Sequence, residues 1–135
     1  MKLRALLFTL CFAIFSTSFA TNSHHTHPKA NTADSKKAVK MAGYCEVEIV
    51  NRSYDDVTVY GRFDDGSPLQ PFNIYAREIP HYIDLYYYGY CHSGISLYIE
   101  SFGHYSVFEG YVPAGSTVEI VPFFGSKMKV EIHAK

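Results

Sequence analysis

Three histidines within four residues are the first candidates for chemistry in this sequence. His24, His25 and His27 stand close to the N-terminus, and imidazole nitrogens are common ligands of zinc, copper and nickel. The spacing therefore predicts weak metal binding by these three side chains. The alternative interpretation is a solvated polar segment without a ligand. Nothing in the sequence calls for an organic cofactor.

Two cysteines predict a disulfide bond. Of the 3 cysteines, Cys11 lies in an N-terminal segment that we expect to be removed, which leaves Cys45 and Cys91. Two cysteines in an oxidising compartment are expected to pair. Both have the same strand parity as neighbouring apolar residues, so we expect the bridge to lie inside the core.

Catalytic motifs are absent from the sequence. Cys91, His92 and Ser93 are adjacent, but neighbours on a strand point to opposite faces, and Cys91 is expected to be oxidised. No nucleophile elbow, glycine-rich phosphate loop or zinc-protease helix motif occurs. We therefore predict a protein that is not an enzyme. The rival hypothesis is a small secreted hydrolase, whose cleft would use some of five residues: His81, His92, His104, Asp84 and Glu109.

Tyrosine is the most informative excess in the composition. All 12 tyrosines lie beyond residue 43, and the sequence contains no tryptophan. Strand alternation places Tyr82, Tyr86, Tyr88 and Tyr98 on the polar side of their strands. Tyr82, Tyr86 and Tyr88 would line one face of one strand, a surface suited to a protein, peptide or glycan partner. The alternative is that cross-strand tyrosine pairs only stabilise the sheet.

The first 20 residues have the pattern of a signal peptide. Lys2 and Arg4 precede an apolar run over residues 5–15, and Ser18 and Ala20 are the small residues of a cleavage site. We therefore predict a secreted or periplasmic protein. The apolar run is too short to span a bilayer, and no later segment is long enough, so no transmembrane segment is expected in the mature chain.

Charge and composition divide the remainder of the chain. Without Lys2 and Arg4, 10 basic residues remain against 13 acidic ones, which argues against nucleic acid as a partner. Residues 21–40 contain no aromatic residue and one large aliphatic residue, Val39. We therefore predict a disordered His- and Lys-containing tail over residues 21–42, dispensable for stability.

A single β domain is predicted over residues 43–135. Apolar residues alternate with polar ones in short runs, as in Val57, Val59 and Phe63, and no helical stripe is present. Between two such runs, Asp64-Asp65-Gly66-Ser67 predicts an antiparallel hairpin turn. Seven or eight strands of this kind favour a small antiparallel β-sandwich, with a small β-barrel as the alternative. The sandwich would be immunoglobulin-like in architecture only, because the typical core tryptophan is missing.

Together these patterns predict a secreted or periplasmic binding or structural module without catalysis. Its partner would be a protein, peptide or glycan, contacted through the tyrosine-rich sheet face. The sequence gives no prediction of the oligomeric state.

Overall fold

The computed structural model describes residues 23–125 and 127–135, so the predicted signal peptide lies outside the described residues. The described chain contains one short helix, α1 (Thr32–Lys40). The strands in chain order are β1 (His24–His25), β2 (Glu46–Asn51), β3 (Val57–Phe63), β4 (Pro68–Ile74), β5 (His81–Asp84), β6 (Tyr86–Tyr87), β7 (Tyr90–Cys91), β8 (Gly94–Ser101), β9 (Ser106–Pro113), β10 (Ser116–Pro122) and β11 (Met128–Ala134).

The strands form two larger sheets and one small hairpin. The first sheet has the order β1-β5-β2-β10-β11, the second β4-β3-β8-β9, and β6 pairs with β7 alone. Most neighbours are antiparallel, but β1 pairs with β5 and β2 with β10 in parallel. The all-β prediction is therefore confirmed, with eleven strands in the described residues where seven or eight were expected. Those residues form no closed barrel, so the barrel alternative is wrong.

One hydrophobic core receives side chains from both larger sheets. The alternation read from the sequence is correct for Val57, Val59 and Phe63, which are all buried, while their strand neighbours point outward. The two larger sheets contribute these fully or almost fully buried members: Val47, Ile49, Ile83, Val118 and Ile120 from the first, and Val57, Val59, Phe63, Leu69, Ile74, Ile95, Leu97, Ile99 and Val112 from the second. Burial of these side chains, each stabilising by about 1.5–3 kcal/mol, holds the sheets together.

The predicted hairpin turn joins β3 to β4. The two strands pair antiparallel, and Gly66 has a φ of 84°, a conformation that favours glycine. The backbone N–H of Ser67 donates to Asp65 Oδ1 over 2.8 Å, as expected for an Asx-type turn. This turn projects Asp64 and Asp65 towards the β6–β7 hairpin.

The segment predicted to be a disordered tail is ordered from residue 23 onward. β1 adds to β5, and α1 begins with a capping box in which Asn31 and Asp34 bond each other's backbone N–H. His27 is only 2% exposed. The prediction was wrong because it counted large aliphatic and aromatic residues only, whereas the buried residues of this segment are His27, Asp34 and Ala38.

Cys45 and Cys91 lie at disulfide distance, with 5.6 Å between their Cα atoms. The bridge links the residue before β2 to the end of β7. Cys45 is buried, but Cys91 is exposed, so the expectation of a bridge wholly inside the core was wrong. The parity argument failed at Cys91 because His92 and Ser93, which precede β8, interrupt the alternation.

No helix within residues 23–125 and 127–135 has the length and apolar character needed to cross a membrane.

Candidate functional site

A groove of about 370 Å³ lies on the outer face of the second sheet. We call it the tyrosine groove, and its outward side chains are Tyr60, Arg62, Ser96, Tyr98, Glu109 and Tyr111. The alternation of β3, β8 and β9 places them there, because their strand neighbours point into the core. The groove therefore combines the exposed rings of Tyr60 and Tyr111 and the half-buried ring of Tyr98 with one cationic, one anionic and one small polar side chain.

Two cross-strand rows build the tyrosine groove. In the first row, Tyr98 on the central strand β8 stands opposite Tyr60 on β3 and opposite Glu109 on β9. In the second row, Ser96 lies between Arg62 and Tyr111. Because Ser96 is the smallest of these side chains, it leaves open space between the guanidinium group and the phenol ring.

The tyrosine rings of the groove are held in place by their neighbours. The rings of Tyr60 and Tyr98 lie 5.8 Å apart at 45°, and Tyr111 shares a 2.8 Å hydrogen bond with Ser93 Oγ. Tyr111 also lies across Gly94, where an added Cβ would come within 2.6 Å of the ring. A ring fixed in this way loses little side-chain entropy when a ligand binds.

Of the four tyrosines predicted to form a binding face, only Tyr98 lines this groove. Tyr82 belongs to β5 and Tyr86 to β6, and the buried Leu85 separates these two strands. Tyr88 lies in the turn after β6 with a φ of 54°. The prediction of one strand with three tyrosines on one face was therefore wrong, because the chain bends between residues 84 and 90.

Tyr87 is fully buried, and sequence reasoning did not single it out. Its ring stacks between His27, at 4.0 Å, and His92, at 3.5 Å. Its hydroxyl donates a 2.5 Å hydrogen bond to Asp64, and burial together with this carboxylate raises the pKa of Tyr87. The alternation of Ile83 and Leu85 carried a signal for this burial, because Tyr87 has the same parity and all three residues are buried.

The aspartates of the β3–β4 turn connect this ring stack to the second sheet. We call the contacts of Asp64 and Asp65 the aspartate clamp. Asp64 accepts from Tyr87 and lies 2.7 Å from His92 Nδ1, while the other nitrogen of His92 lies 3.2 Å from the Tyr87 carbonyl oxygen. Asp65 lies 3.1 Å from His27 Nε2 and accepts from the Tyr88 hydroxyl.

Both carboxyl groups of the clamp have lowered pKa values. Desolvation opposes the change at Asp64, but hydrogen bonds from Tyr87 and His92 outweigh it and lower its pKa. At Asp65 the Ser67 backbone N–H is the main cause, and the Ser67 hydroxyl, His27 and Tyr88 add to it, so the pKa lies well below its usual range. The clamp therefore requires ionised aspartates.

The three N-terminal histidines do not converge on one point. His24 Nδ1 lies 3.4 Å from Asp84, His25 Nε2 lies 2.9 Å from His81 Nδ1, and His27 belongs to the clamp. His25 also stacks on Phe72 with ring centroids 3.4 Å apart. The structure therefore does not bring the three histidines of the predicted metal site together, since the successive residues His24 and His25 of β1 face opposite sides of the sheet and His27 lies beyond this strand.

Burial also lowers the pKa values of His25 and His81, which contact each other. Desolvation, with smaller contributions from His81 and His24, lowers the pKa of His25 to about 4. Desolvation lowers the pKa of His81 as well, against the opposing effect of Glu78. Two uncharged rings fit the 2.9 Å contact, in which one nitrogen donates and the other accepts.

The five residues named for a hydrolase have separate surroundings. His92 contacts Asp64, His81 contacts His25, and the exposed His104 contacts Glu100. Asp84 contacts His24, and Glu109 lines the tyrosine groove. The arrangement does not place these five side chains around one reacting atom.

Comparison with known proteins gave one structural similarity. No protein-family model matches the chain, and no curated protein matches it. The chain is similar to an NMR structure of a protein from Eubacterium rectale, with 15% sequence identity and a TM-score of 0.47. The alignment covers 70% of this chain and 93% of that one. A similarity of this size carries no argument about function.

Proposed function

We propose that this protein is a non-catalytic binding module of the cell envelope or the secreted fraction, and that the tyrosine groove binds a short neutral glycan. The observation that carries the proposal is the groove itself. It joins the rings of Tyr60, Tyr98 and Tyr111 to the polar groups of Arg62, Ser96 and Glu109 on one open surface. The signal-peptide pattern and the paired cysteines support export.

The chemistry of the groove favours a sugar over an extended peptide. An extended peptide gains main-chain hydrogen bonds when it adds to the edge of a sheet. The groove lies on a sheet face, and its central strand β8 is already paired with β3 and β9. Recognition must therefore use side chains, and tyrosine rings offer apolar area for the faces of sugar rings.

The charges of the groove favour a neutral ligand. Arg62 and Glu109 contribute one positive and one negative group, so neither sign dominates. Both can hydrogen bond to sugar hydroxyls, which donate and accept, and the Ser96 hydroxyl adds a third such group. A strongly anionic or cationic ligand would meet one repulsive side chain.

We also propose that the two larger sheets face each other as a sandwich. The proposal is supported by the single core cluster, which has members on both sheets. This arrangement would leave the tyrosine groove on a face that the core does not use.

Binding is tested by NMR titration of the ¹⁵N-labelled protein with soluble neutral oligosaccharides that differ in sugar and linkage. We expect saturable shifts of the amides of residues 60–62, 96–98 and 109–111 with at least one oligosaccharide. Replacing both Tyr60 and Tyr98 by serine should weaken that binding by about 1–3 kcal/mol, because exposed aromatic anchors dominate interface energies.

The matched control is Tyr44→Ser, which removes a tyrosine that is 82% exposed and outside the groove. This variant should bind like the wild type. Equal affinity of the wild type and the Tyr60/Tyr98 double variant would contradict the proposal, as would shifts only with peptides. A double variant that loses stability but keeps its affinity would show that the tyrosines serve the fold.

A further inference from the structure

Three potential metal ligands meet on the outer face of the first sheet. They are His24 on β1, Glu46 at the start of β2 and Asp84 at the end of β5. Their ligand atoms all lie within 4.8 Å of one another. The residues come from three adjacent strands, because β5 pairs with β1 on one side and with β2 on the other.

Strand pairing fixes the two carboxylates next to each other. Glu46 and Asp84 are direct partners in the antiparallel register of β2 and β5. Both are unusually buried for acidic residues, with exposures of 5% and 7%. Like charges placed directly opposite each other destabilise a sheet unless a cation compensates them. Burial raises the pKa of the Asp84 carboxyl against the opposing effect of His24, and the charge of Glu46 adds to the rise.

The carboxylates of Glu46 and Asp84 each have an oxygen atom that can bind a further ligand. The Gly43 backbone N–H donates to Glu46 Oε1 over 2.7 Å, and His24 Nδ1 lies 3.4 Å from Asp84 Oδ1. These contacts engage one oxygen of each carboxylate. The imidazole of His24 stacks on Tyr82 at 5.0 Å, and its side chain is 48% exposed, so the ligand set opens to solvent on the side of His24.

We propose that His24, Glu46 and Asp84 form a binding site for one divalent transition-metal ion, with zinc as the representative ion. One imidazole nitrogen and two carboxylate oxygens are a donor set that zinc accepts, at about 2 Å from each ligand. The double positive charge of the ion balances the two carboxylates. Water completes the coordination sphere.

A second group of potential ligands makes a useful contrast. Glu119, Glu131 and His133 also lie within 4.8 Å of one another. However, Arg52 pairs with Glu119 and Lys129 pairs with Glu131, each over 2.7 Å. Side chains in this group are exposed or half-buried and already have cationic partners. We therefore expect zinc to prefer the site at His24.

The test uses the full chain prepared without a polyhistidine tag and treated with EDTA, which is then removed. Isothermal titration with zinc chloride should give one site per chain. His24→Ala should weaken this binding by about tenfold or more, because one of three protein ligands is lost. Asp84→Asn should act in the same direction. Substitution by Co²⁺ gives an independent readout, since its visible absorption reports the coordination of the bound ion.

His133→Ala is the matched control, because it removes a histidine from the second group. This variant should keep the zinc affinity and the Co²⁺ spectrum of the wild type. The proposal is overturned if the wild type binds no zinc, if His24→Ala binds as tightly as the wild type, or if only His133→Ala loses binding. If Asp84→Asn fails to fold, His24→Ala still tests the proposal. The His24 side chain is 48% exposed, so we expect this variant to fold.

Discussion

Histidine rings serve as core residues in this protein. His27 is 2% exposed, stacks on Tyr87 at 4.0 Å and contacts Phe63 edge-on at 4.7 Å. Its two nitrogens are both used, since Nδ1 accepts from the Lys29 backbone N–H and Nε2 lies 3.1 Å from Asp65. A buried polar ring is stabilising only when its nitrogens have such partners.

His27→Ala is therefore expected to destabilise the protein strongly. The change removes a stacked ring and leaves a cavity beside Tyr87, and it also removes one partner of Asp65. We expect the free energy of unfolding to fall by about 2–4 kcal/mol, as for other large-to-small changes at buried sites. Chemical denaturation monitored by circular dichroism measures this.

The control for this prediction is His133→Ala, whose side chain is 56% exposed. That variant should lie within about 0.5 kcal/mol of the wild type. If His27→Ala is as stable as the control, the segment before α1 does not contribute to the fold as the structure indicates.

At the scale of elements, the aspartate clamp joins the β3–β4 turn to the β6–β7 hairpin. The pKa values of Asp64 and Asp65 are lowered in the folded protein. Carboxyl groups with lowered pKa values stabilise the folded state above their unfolded pKa of about 3.9, and this stabilisation is lost as the pH falls towards the folded pKa. The clamp should therefore weaken below about pH 4.

Asp64→Asn tests the role of the clamp. It replaces the charged acceptor of Tyr87 and His92 by a neutral amide, so we expect a loss of about 1–2 kcal/mol at neutral pH. The variant should also lose less stability than the wild type between about pH 4 and 2.5. Urea denaturation across this pH range measures both effects.

Asp55→Asn, which changes an exposed aspartate outside the clamp, should keep the acid sensitivity of the wild type. If the wild type and Asp64→Asn lose the same stability in acid, groups other than Asp64 cause the acid sensitivity, and the prediction is contradicted.

The sequence predicted elements well where one alternating run forms one strand. β3 and β8 follow the period of their apolar residues, and the turn at Gly66 follows from its residue types. Prediction failed over residues 82–88, which were read as one strand with Tyr82, Tyr86 and Tyr88 on one face. There the inward alternation continues to Tyr87, but the positive φ values of Tyr88 and Gly89 turn the chain, and the segment forms the short strands β5, β6 and β7.

The candidate sites were less predictable than the elements. Tyr98 was named from its parity, but Tyr60, Arg62 and Tyr111 join it only through the neighbour order β3-β8-β9. In the proposed metal site His24 has companions that the sequence did not indicate, because Glu46 and Asp84 lie 22 and 60 residues away in the chain. Neither strand order nor parallel pairing leaves a signal in residue periodicity.

At the scale of the whole molecule, the Cys45–Cys91 bridge ties the first sheet to the β6–β7 hairpin. It closes a loop of 46 residues that contains β2 to β6. In the chain-entropy model such a loop stabilises the folded state by about 4 kcal/mol relative to the open chain. The bridge lies outside the tyrosine groove. Its removal should therefore lower the stability of the fold without changing ligand binding.

The double variant Cys45→Ser/Cys91→Ser should therefore melt at a markedly lower temperature than the wild type, while its folded fraction keeps the wild-type affinity for an oligosaccharide. Differential scanning calorimetry and NMR titration below the melting transition measure the two properties. An unchanged melting temperature would show that the bridge does not restrain the unfolded chain.

The parallel pairing of β2 with β10 has a consequence for the order of events during folding. β2 ends at Asn51, whereas its parallel neighbour β10 begins only at Ser116, so the first sheet cannot be completed before β3 to β9 have been made. β3, β4, β8 and β9 form an uninterrupted antiparallel series and can assemble earlier. Pairings between distant segments are slow to form because loop closure precedes their stabilising contacts. A chain emerging from the ribosome would thus hold β2 without its β10 neighbour until β10 has been made, and a binding factor or chaperone has that interval in which to act.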